Sequence, residues 1–197
     1  MHKHYFRLFL CFFLLSFSFS NSQTYPIDTF KIKGANWDLV NPFLLVLEDK
    51  NNEYNVNDVL KKIKNRVFNS KYSKSSYWFL LPIKNISHDN LSLVWSFYNN
   101  NFGLDFYNVT DHKNPKFELK VNSQDTLEKR AFLSRSIGYP FSLKPFESKS
   151  ILVKIYPENT NLIYFLSDVS TTEDVLFWEI NYALIVGKYF GYIFFMF

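Results

Sequence analysis

Histidine and cysteine, two residue types that often carry catalysis or bind metals, are scarce in this 197-residue chain. His88 and His112 lie in turn-like contexts far apart in the sequence, and we interpret both as solvated loop residues. The single cysteine, Cys11, belongs to the N-terminal apolar segment, so the remaining chain offers no disulfide, thiolate zinc site or cysteine nucleophile. It contains neither a Gly-x-Ser-x-Gly elbow nor a phosphate-binding Gly-rich loop. We therefore predict no catalytic residues, no cofactor and no metal site.

Aromatic side chains near predicted turns are better candidates for recognising a ligand. Aromatic platforms with a few polar partners suit a sugar or a similar small molecule. The predicted ligand-binding residues are four aromatic side chains and one arginine as polar anchor: Tyr98, Phe102, Tyr107, Tyr139 and Arg135. Each of them has a packing role as its alternative. Trp78 and Trp95 are expected to point into the core, because they lie on the apolar faces of predicted strands.

The elements that must hold these residues are predicted from the spacing of apolar side chains. Residues 91–98 alternate strictly, which places Leu91, Leu93, Trp95 and Phe97 on one strand face. Comparable strand patterns occupy residues 42–47, 77–85, 104–109, 117–121, 140–143, 150–156 and 162–166. Helical spacing predicts one short helix from residue 56 to about 67, with Asn57 or Asp58 as its N-cap. Many short strands with one small helix predict an all-β sandwich.

Both ends of the chain have apolar segments. A short basic head, an apolar stretch over residues 8–19 and small side chains at Ser20 and Ser22 predict a signal peptide over residues 1–22. A retained N-terminal anchor is the alternative. Residues 182–197 are apolar apart from Lys188, yet they fall short of the ~20 residues that a bilayer span needs. We interpret residues 176–197 as a juxtamembrane segment and the start of a transmembrane helix, with a buried C-terminal element as the alternative.

The charge balance argues against binding to nucleic acid. The whole chain has 22 basic and 18 acidic residues, and the predicted signal peptide contains Lys3 and Arg7 but no acid. The remaining net charge of about +2 lacks the clustered basic face that nucleic-acid binding requires. Residues 23–175 are long enough for one domain with its own core.

Several segments resemble, in order, one family of sensor domains. They are LLVLEDKNNEYNVNDVLKK, SSYWFLLPIKNIS with its Trp and later Asn, LSLVWSFYNNNFGLDFYNV, SRSIGYPFSLKPFESKSILVKIYPE with its Arg, and YALIVGKYFGYIF. Together they are similar to the type 2 extracellular sensor domain of bacterial seven-transmembrane receptors with diverse intracellular signalling modules. Leu152 or Val153 stands where that family usually has an aromatic residue, and Lys188 is unusual in its first membrane helix.

The resemblance implies a jelly-roll domain that senses a carbohydrate or other small molecule outside the membrane. It places the domain in the periplasm, anchored to a bacterial inner membrane, with the other helices and a signalling module expected beyond Phe197. Two other hypotheses remain open. One is a membrane-tethered carbohydrate-binding or adhesion module without signalling output, and the other is an exported hydrolase of sandwich fold.

Overall fold

The computed structural model describes residues 29–34, 38–64, 71–72, 74–98, 102–122, 125–157, 162–163 and 166–196. The predicted signal peptide lies outside these residues. The strands are β1 (Phe30–Ile32), β2 (Asp38–Leu39), β3 (Leu45–Asp49), β4 (Lys71–Tyr72), β5 (Ser76–Asn85), β6 (Leu91–Phe97), β7 (Phe102–Asn108), β8 (Lys116–Val121), β9 (Ile137–Leu143), β10 (Ser148–Pro157), β11 (Leu162–Ile163) and β12 (Ser167–Thr171). The helices are α1 (Val56–Lys62) and α2 (Thr172–Met196), with 3-10 turns at Asn41–Phe43 and Leu127–Lys129.

Two β-sheets form the body of the molecule. The larger sheet has the order β1–β5–β10–β7–β8. Two strands share one edge of β5: β3 pairs antiparallel with its first half, and β1 pairs parallel with its second half. The smaller sheet has the order β2–β12–β6–β9, with antiparallel neighbours throughout. Strands β4 and β11 pair with each other. The predicted all-β fold with two sheets and one short helix is confirmed, whereas its jelly-roll topology stays a prediction.

The main core lies between the two sheets and is rich in aromatic rings. The predicted inner face of β6 is confirmed, because Leu91, Leu93, Trp95 and Phe97 all belong to this core. The ring of Phe106 in β7 stacks on the ring of Tyr139 in β9, with 4.5 Å between centroids. Large buried side chains of this kind contribute much of the hydrophobic stabilisation of a sandwich.

Helix α1 covers a second apolar cluster on the outer face of the larger sheet. Trp78 belongs to this cluster rather than to the core between the sheets. The helix begins at Val56 because Asn55 is its N-cap, and Asp58 completes a reciprocal capping box. The prediction of Asn57 or Asp58 as the cap was wrong by two or three positions. The helix also ends earlier than predicted, at Lys62, where the apolar Ile63 turns into the cluster in extended conformation.

Asn85, the asparagine within the SSYWFLLPIKNIS segment, joins two turns at one end of the sandwich. It is fully buried, and its amide nitrogen donates to the carbonyl oxygens of Asp89 and Lys144 at 2.7 and 2.9 Å. Its carbonyl oxygen accepts from the backbone nitrogen and the hydroxyl of Ser87 at 2.9 and 2.8 Å. All the main hydrogen-bonding capacity of this side chain is therefore satisfied inside the protein.

Strand β12 was missed by the sequence interpretation, which took residues 162–166 as the last strand. Its sequence, SDVST, is polar, yet β12 lies between β2 and β6 inside the smaller sheet. Helix α2 follows β12 without a connecting loop, since β12 ends at Thr171 and α2 starts at Thr172. Within the described part of the chain, no helix is both long and apolar enough to qualify as a membrane span.

Candidate functional site

The five predicted ligand-binding residues do not meet at one place. Tyr107 lies on the outer face of the larger sheet, where its ring packs 5.9 Å from Trp78. Tyr139 lies in the core, only 3% exposed. Phe102 starts β7, and its side chain lies outside what the structure describes. Tyr98 lies just after β6 and donates to Asp168, whereas Arg135 forms an ion pair with Glu179 of α2. Their roles in ligand binding stay predictions.

An open groove with a polar lining lies on the outer face of the larger sheet. It has a volume of about 300 Å³. We call it the outer groove, and its polar lining consists of Asn52, Lys74, Ser76, Asp105, Lys154 and Tyr156. Its size lies at the lower end of the range of roughly 300–1,000 Å³ that is typical of small-molecule sites. The groove therefore suits a ligand of about one ring.

Strand register gathers the polar residues of the outer groove. Lys154 of β10 pairs with Asp105 of β7 on one side and with Trp78 of β5 on the other. Ser76 precedes Trp78 by two positions in β5, so both side chains point to the same face. The Lys154 ammonium lies 5.1 Å from the centroid of the Trp78 ring. The apolar cluster under α1 thus passes directly into a polar groove along the same three strands.

Tyr156 forms one wall of the outer groove because Gly103 leaves room for its ring. A Cβ atom at Gly103 would come within 2.3–2.6 Å of the outer ring atoms and hydroxyl oxygen of Tyr156. The hydroxyl of Tyr156 lies 3.3 Å from Oδ1 of Asn122 and 3.5 Å from Oδ1 of Asp105. A side chain at position 103 would therefore change the shape of the groove.

The charges of the outer groove are incompletely compensated. Burial raises the pKa of Asp105, while the positive charges of Lys120 and Lys154 and the Tyr156 hydroxyl oppose the rise. Within the described residues, neither Lys74 nor Lys154 forms an ion pair. The Ser76 hydroxyl is fully buried and makes no hydrogen bond to any described residue. An unpaired buried polar group costs roughly 1–3 kcal/mol.

A second polar cluster lies on the outer face of the smaller sheet. The hydroxyl of Tyr98, just after β6, donates a short hydrogen bond to Oδ2 of Asp168 in β12. Asp168 is 3% exposed, and its Oδ1 has no hydrogen-bond partner among the described residues. Burial raises the pKa of Asp168 to about 6, although the nearby hydroxyls of Tyr98 and Ser170 lower it in part. The pKa of Tyr98 is raised by its burial and by this carboxylate.

The first turns of α2 are fastened to the loop before β9 by four residues, which we call the helix latch: Ser134, Arg135, Glu179 and Tyr182. Oε1 of Glu179 accepts from the Ser134 hydroxyl at 2.8 Å, and Oε2 accepts from Nε of Arg135 at 2.9 Å. The guanidinium of Arg135 also lies 3.3 Å from the centroid of the Tyr182 ring. Burial opposes ionisation of Glu179, but the Ser134 and Arg135 interactions prevail and lower its pKa.

Sequence interpretation missed most residues of the outer groove and of the polar cluster around Asp168. Asp168 and Ser170 were overlooked because a polar strand carries no alternation signal, and Lys154 was read as an ordinary strand residue. Only the pairing of strands places Lys154 beside Asp105. Within the described ranges, no group of three His, Cys, Asp or Glu residues could hold a metal ion.

Comparison with known proteins gives one clear relationship. A family model described as 7TMR-DISM extracellular 2 matches residues 41–166, from the turn before β3 to the residue before β12. No curated protein matches the chain significantly. The matched segment contains the strands and turns that form the outer groove, and it covers more than half of the 197 residues. The chain therefore belongs to the type 2 family of 7TMR-DISM extracellular domains.

Proposed function

We propose that this domain senses a small ligand outside the cytoplasm and passes the signal to a membrane through α2. The observation that carries the proposal is the family match over residues 41–166, since that family consists of extracellular domains of membrane receptors. The site chemistry supports binding rather than turnover, because the Ser76 hydroxyl in the outer groove has no base within hydrogen-bond distance among the described residues. We infer a non-catalytic role.

The structure around α2 supports a path for the signal. Strand β12 pairs with β2 and β6 in the smaller sheet and continues directly into α2. The helix latch fastens the same helix to the loop before β9, the other neighbour of β6. A shift between β6 and β9 would therefore act on α2 at two points. Coupling of this kind needs a rigid element with two arrangements, and a helix held by a few polar contacts fits that description.

The surface of α2 supports contact with a membrane. Phe177, Ile180, Leu184 and Phe190 are each more than half exposed. Large apolar side chains that are exposed together on one helix normally have other apolar material around them. We propose that residues 176–197 form a juxtamembrane segment and the first part of a transmembrane helix. In the proposed arrangement, residues 23–175 lie in the periplasm after removal of the signal peptide.

The ligand we propose is a carbohydrate or another small molecule, and the size of the outer groove favours a small one. A membrane-tethered adhesion module without signalling output is the second candidate. It would bind the same kind of ligand, but α2 would not respond. The behaviour of α2 on ligand binding therefore separates the two functions.

Hydrogen exchange of the full chain in lipid nanodiscs tests the proposal. Small molecules that stabilise the chain in a thermal screen would be added at saturation, and amide exchange would be followed at residues 134–136 and 172–182. Sensing predicts altered exchange in both segments, with β1 as an internal reference because it lines neither the outer groove nor the helix latch. A ligand that protects only the residues of its own site would support the adhesion module. A Glu179→Gln variant, which weakens the helix latch, would show the altered exchange before ligand is added.

A further inference from the structure

We propose that the outer groove binds a small hydroxylated carboxylate, with Lys74 and Lys154 holding the carboxylate group. The inference rests on the proposed sensing function and adds the site and the chemical class of its ligand. It starts from the cavity itself, whose polar lining comes from β5, β7, β10, the turn that follows β3 and, at Lys74, the segment just before β5. A rigid sheet supplies most of these residues, so the site is largely formed before a ligand arrives.

The charges select an anion. The lining contains two lysines and one aspartate, which gives a net charge of about +1 when Asp105 is ionised. One carboxylate neutralises this excess, whereas a doubly charged phosphate would leave a surplus of negative charge. The ammonium group of Lys154 is held over Trp78 at 5.1 Å, so its position is partly fixed. Hydrogen bonds between ammonium and carboxylate are about twice as strong as neutral ones.

The remaining polar groups select hydroxyls. Ser76 is one of the residues that line the groove, and its buried hydroxyl has no partner among the described residues. A ligand hydroxyl that reaches Ser76 removes the cost of this unpaired group. Asp105 offers carboxylate oxygens as acceptors, and the Asn52 amide can both donate and accept. A carboxylate without hydroxyls would leave these groups unpaired, and a neutral sugar would leave the lysines without an anion.

Three probes of similar ring size separate these contributions. Glucuronate carries hydroxyls and a carboxylate, glucose carries hydroxyls alone, and cyclohexanecarboxylate carries the charge with no hydroxyl. Binding to the full chain in nanodiscs would be measured by calorimetry at low and moderate salt. We expect saturable binding of glucuronate, at least about tenfold tighter than that of either other probe. Binding should weaken as salt rises, because the lysines are accessible to solvent.

Single substitutions locate the site. Lys154→Gln and Lys74→Gln should each weaken glucuronate binding by about fivefold or more. Lys149→Gln is the matched control on the same strand, because Lys149 bonds to the carbonyl of Ser142 and does not line the groove. Ser76→Ala should also weaken binding without lowering stability, since it removes an unpaired buried hydroxyl. A purely structural role for Ser76 would leave affinity unchanged.

Several outcomes would overturn the inference. They are the absence of saturable glucuronate binding, equal binding of glucose, and unchanged affinity in both groove-lysine variants. If another ligand still alters the exchange of α2, sensing stands and only the assignment of the outer groove fails. If glucuronate binds the groove as expected while α2 does not respond, the binding site stands and the sensing proposal fails.

Discussion

Asp168 is the buried acid whose replacement tests the electrostatics of the smaller sheet most directly. An Asp168→Asn substitution keeps the size of the side chain and an oxygen that can accept from the Tyr98 hydroxyl. It removes the negative charge that burial opposes, and its amide group can donate to the neighbouring Ser170 hydroxyl, which has no partner within the described residues. We expect the variant to be more stable than the native protein near neutral pH.

The size of the effect follows from the pKa of Asp168. Burial raises this pKa from its ordinary value of 3.8 to about 6. Each unit is worth about 1.4 kcal/mol, so the cost of ionising Asp168 in the folded protein is on the order of 3 kcal/mol. Between pH 4 and 6 the folded state holds a proton that the unfolded state has released. Stability attributable to this group therefore falls as the pH rises through that window and is constant above it.

Urea denaturation of the full chain in a mild nonionic detergent, followed by tryptophan fluorescence, measures the effect. The free energy of unfolding would be compared between the native protein and Asp168→Asn at pH 4, 5, 6 and 7.5. The difference should be small at pH 4 and should grow to about 2–3 kcal/mol in favour of the variant at pH 7.5. Burial also raises the pKa of Asp105, and the pKa of Glu179 is lowered. Both groups change the stability of the native protein and the variant equally, so their effects cancel in the difference between the two free energies.

A difference that does not change with pH would refute the reasoning. It would mean that Asp168 is not held in its protonated form up to about pH 6. A native protein that gains stability over the variant as the pH rises would be a stronger contradiction, because it would require the folded state to favour the ionised carboxylate.

Three further perturbations follow from individual contacts. Asn85→Ala should lower the free energy of unfolding by about 2–4 kcal/mol, because four hydrogen bonds of a fully buried side chain are lost. The same denaturation assay measures this loss. A cost below about 1 kcal/mol would contradict the role of Asn85 in joining the two turns. Gly103→Ala should displace the Tyr156 ring and lower the free energy of unfolding by about 1–3 kcal/mol. It should also abolish ligand binding in the outer groove. Unchanged affinity would show that the ring does not shape the groove. Glu179→Gln should lower the free energy of unfolding by at most about 1 kcal/mol, because its partner Arg135 is about half exposed. It should nevertheless speed amide exchange in the first turns of α2. Unchanged exchange would count against the helix latch.

Local patterns were enough to predict the all-β fold and much of its core. Strict alternation in β6 assigned Leu91, Leu93, Trp95 and Phe97 to the buried face, because a strand directs successive side chains to opposite sides. The same reasoning could not tell which layer buries Trp78. That residue faces the cluster under α1, and the choice depends on which side of the sheet receives the helix.

The functional residues show where sequence alone stops. Composition alone showed one cysteine and four histidines, and the order of motifs predicted the family that the family model confirms. Tertiary structure decided that Lys154 lies beside Asp105 and that Asp168 is buried beneath Tyr98. It also decided that Arg135 forms an ion pair with Glu179. These contacts join residues from distant parts of the chain. Side-chain spacing records only which neighbours share a face of one element, whereas pairing between strands and packing against a helix determine the charges and partners that each residue meets.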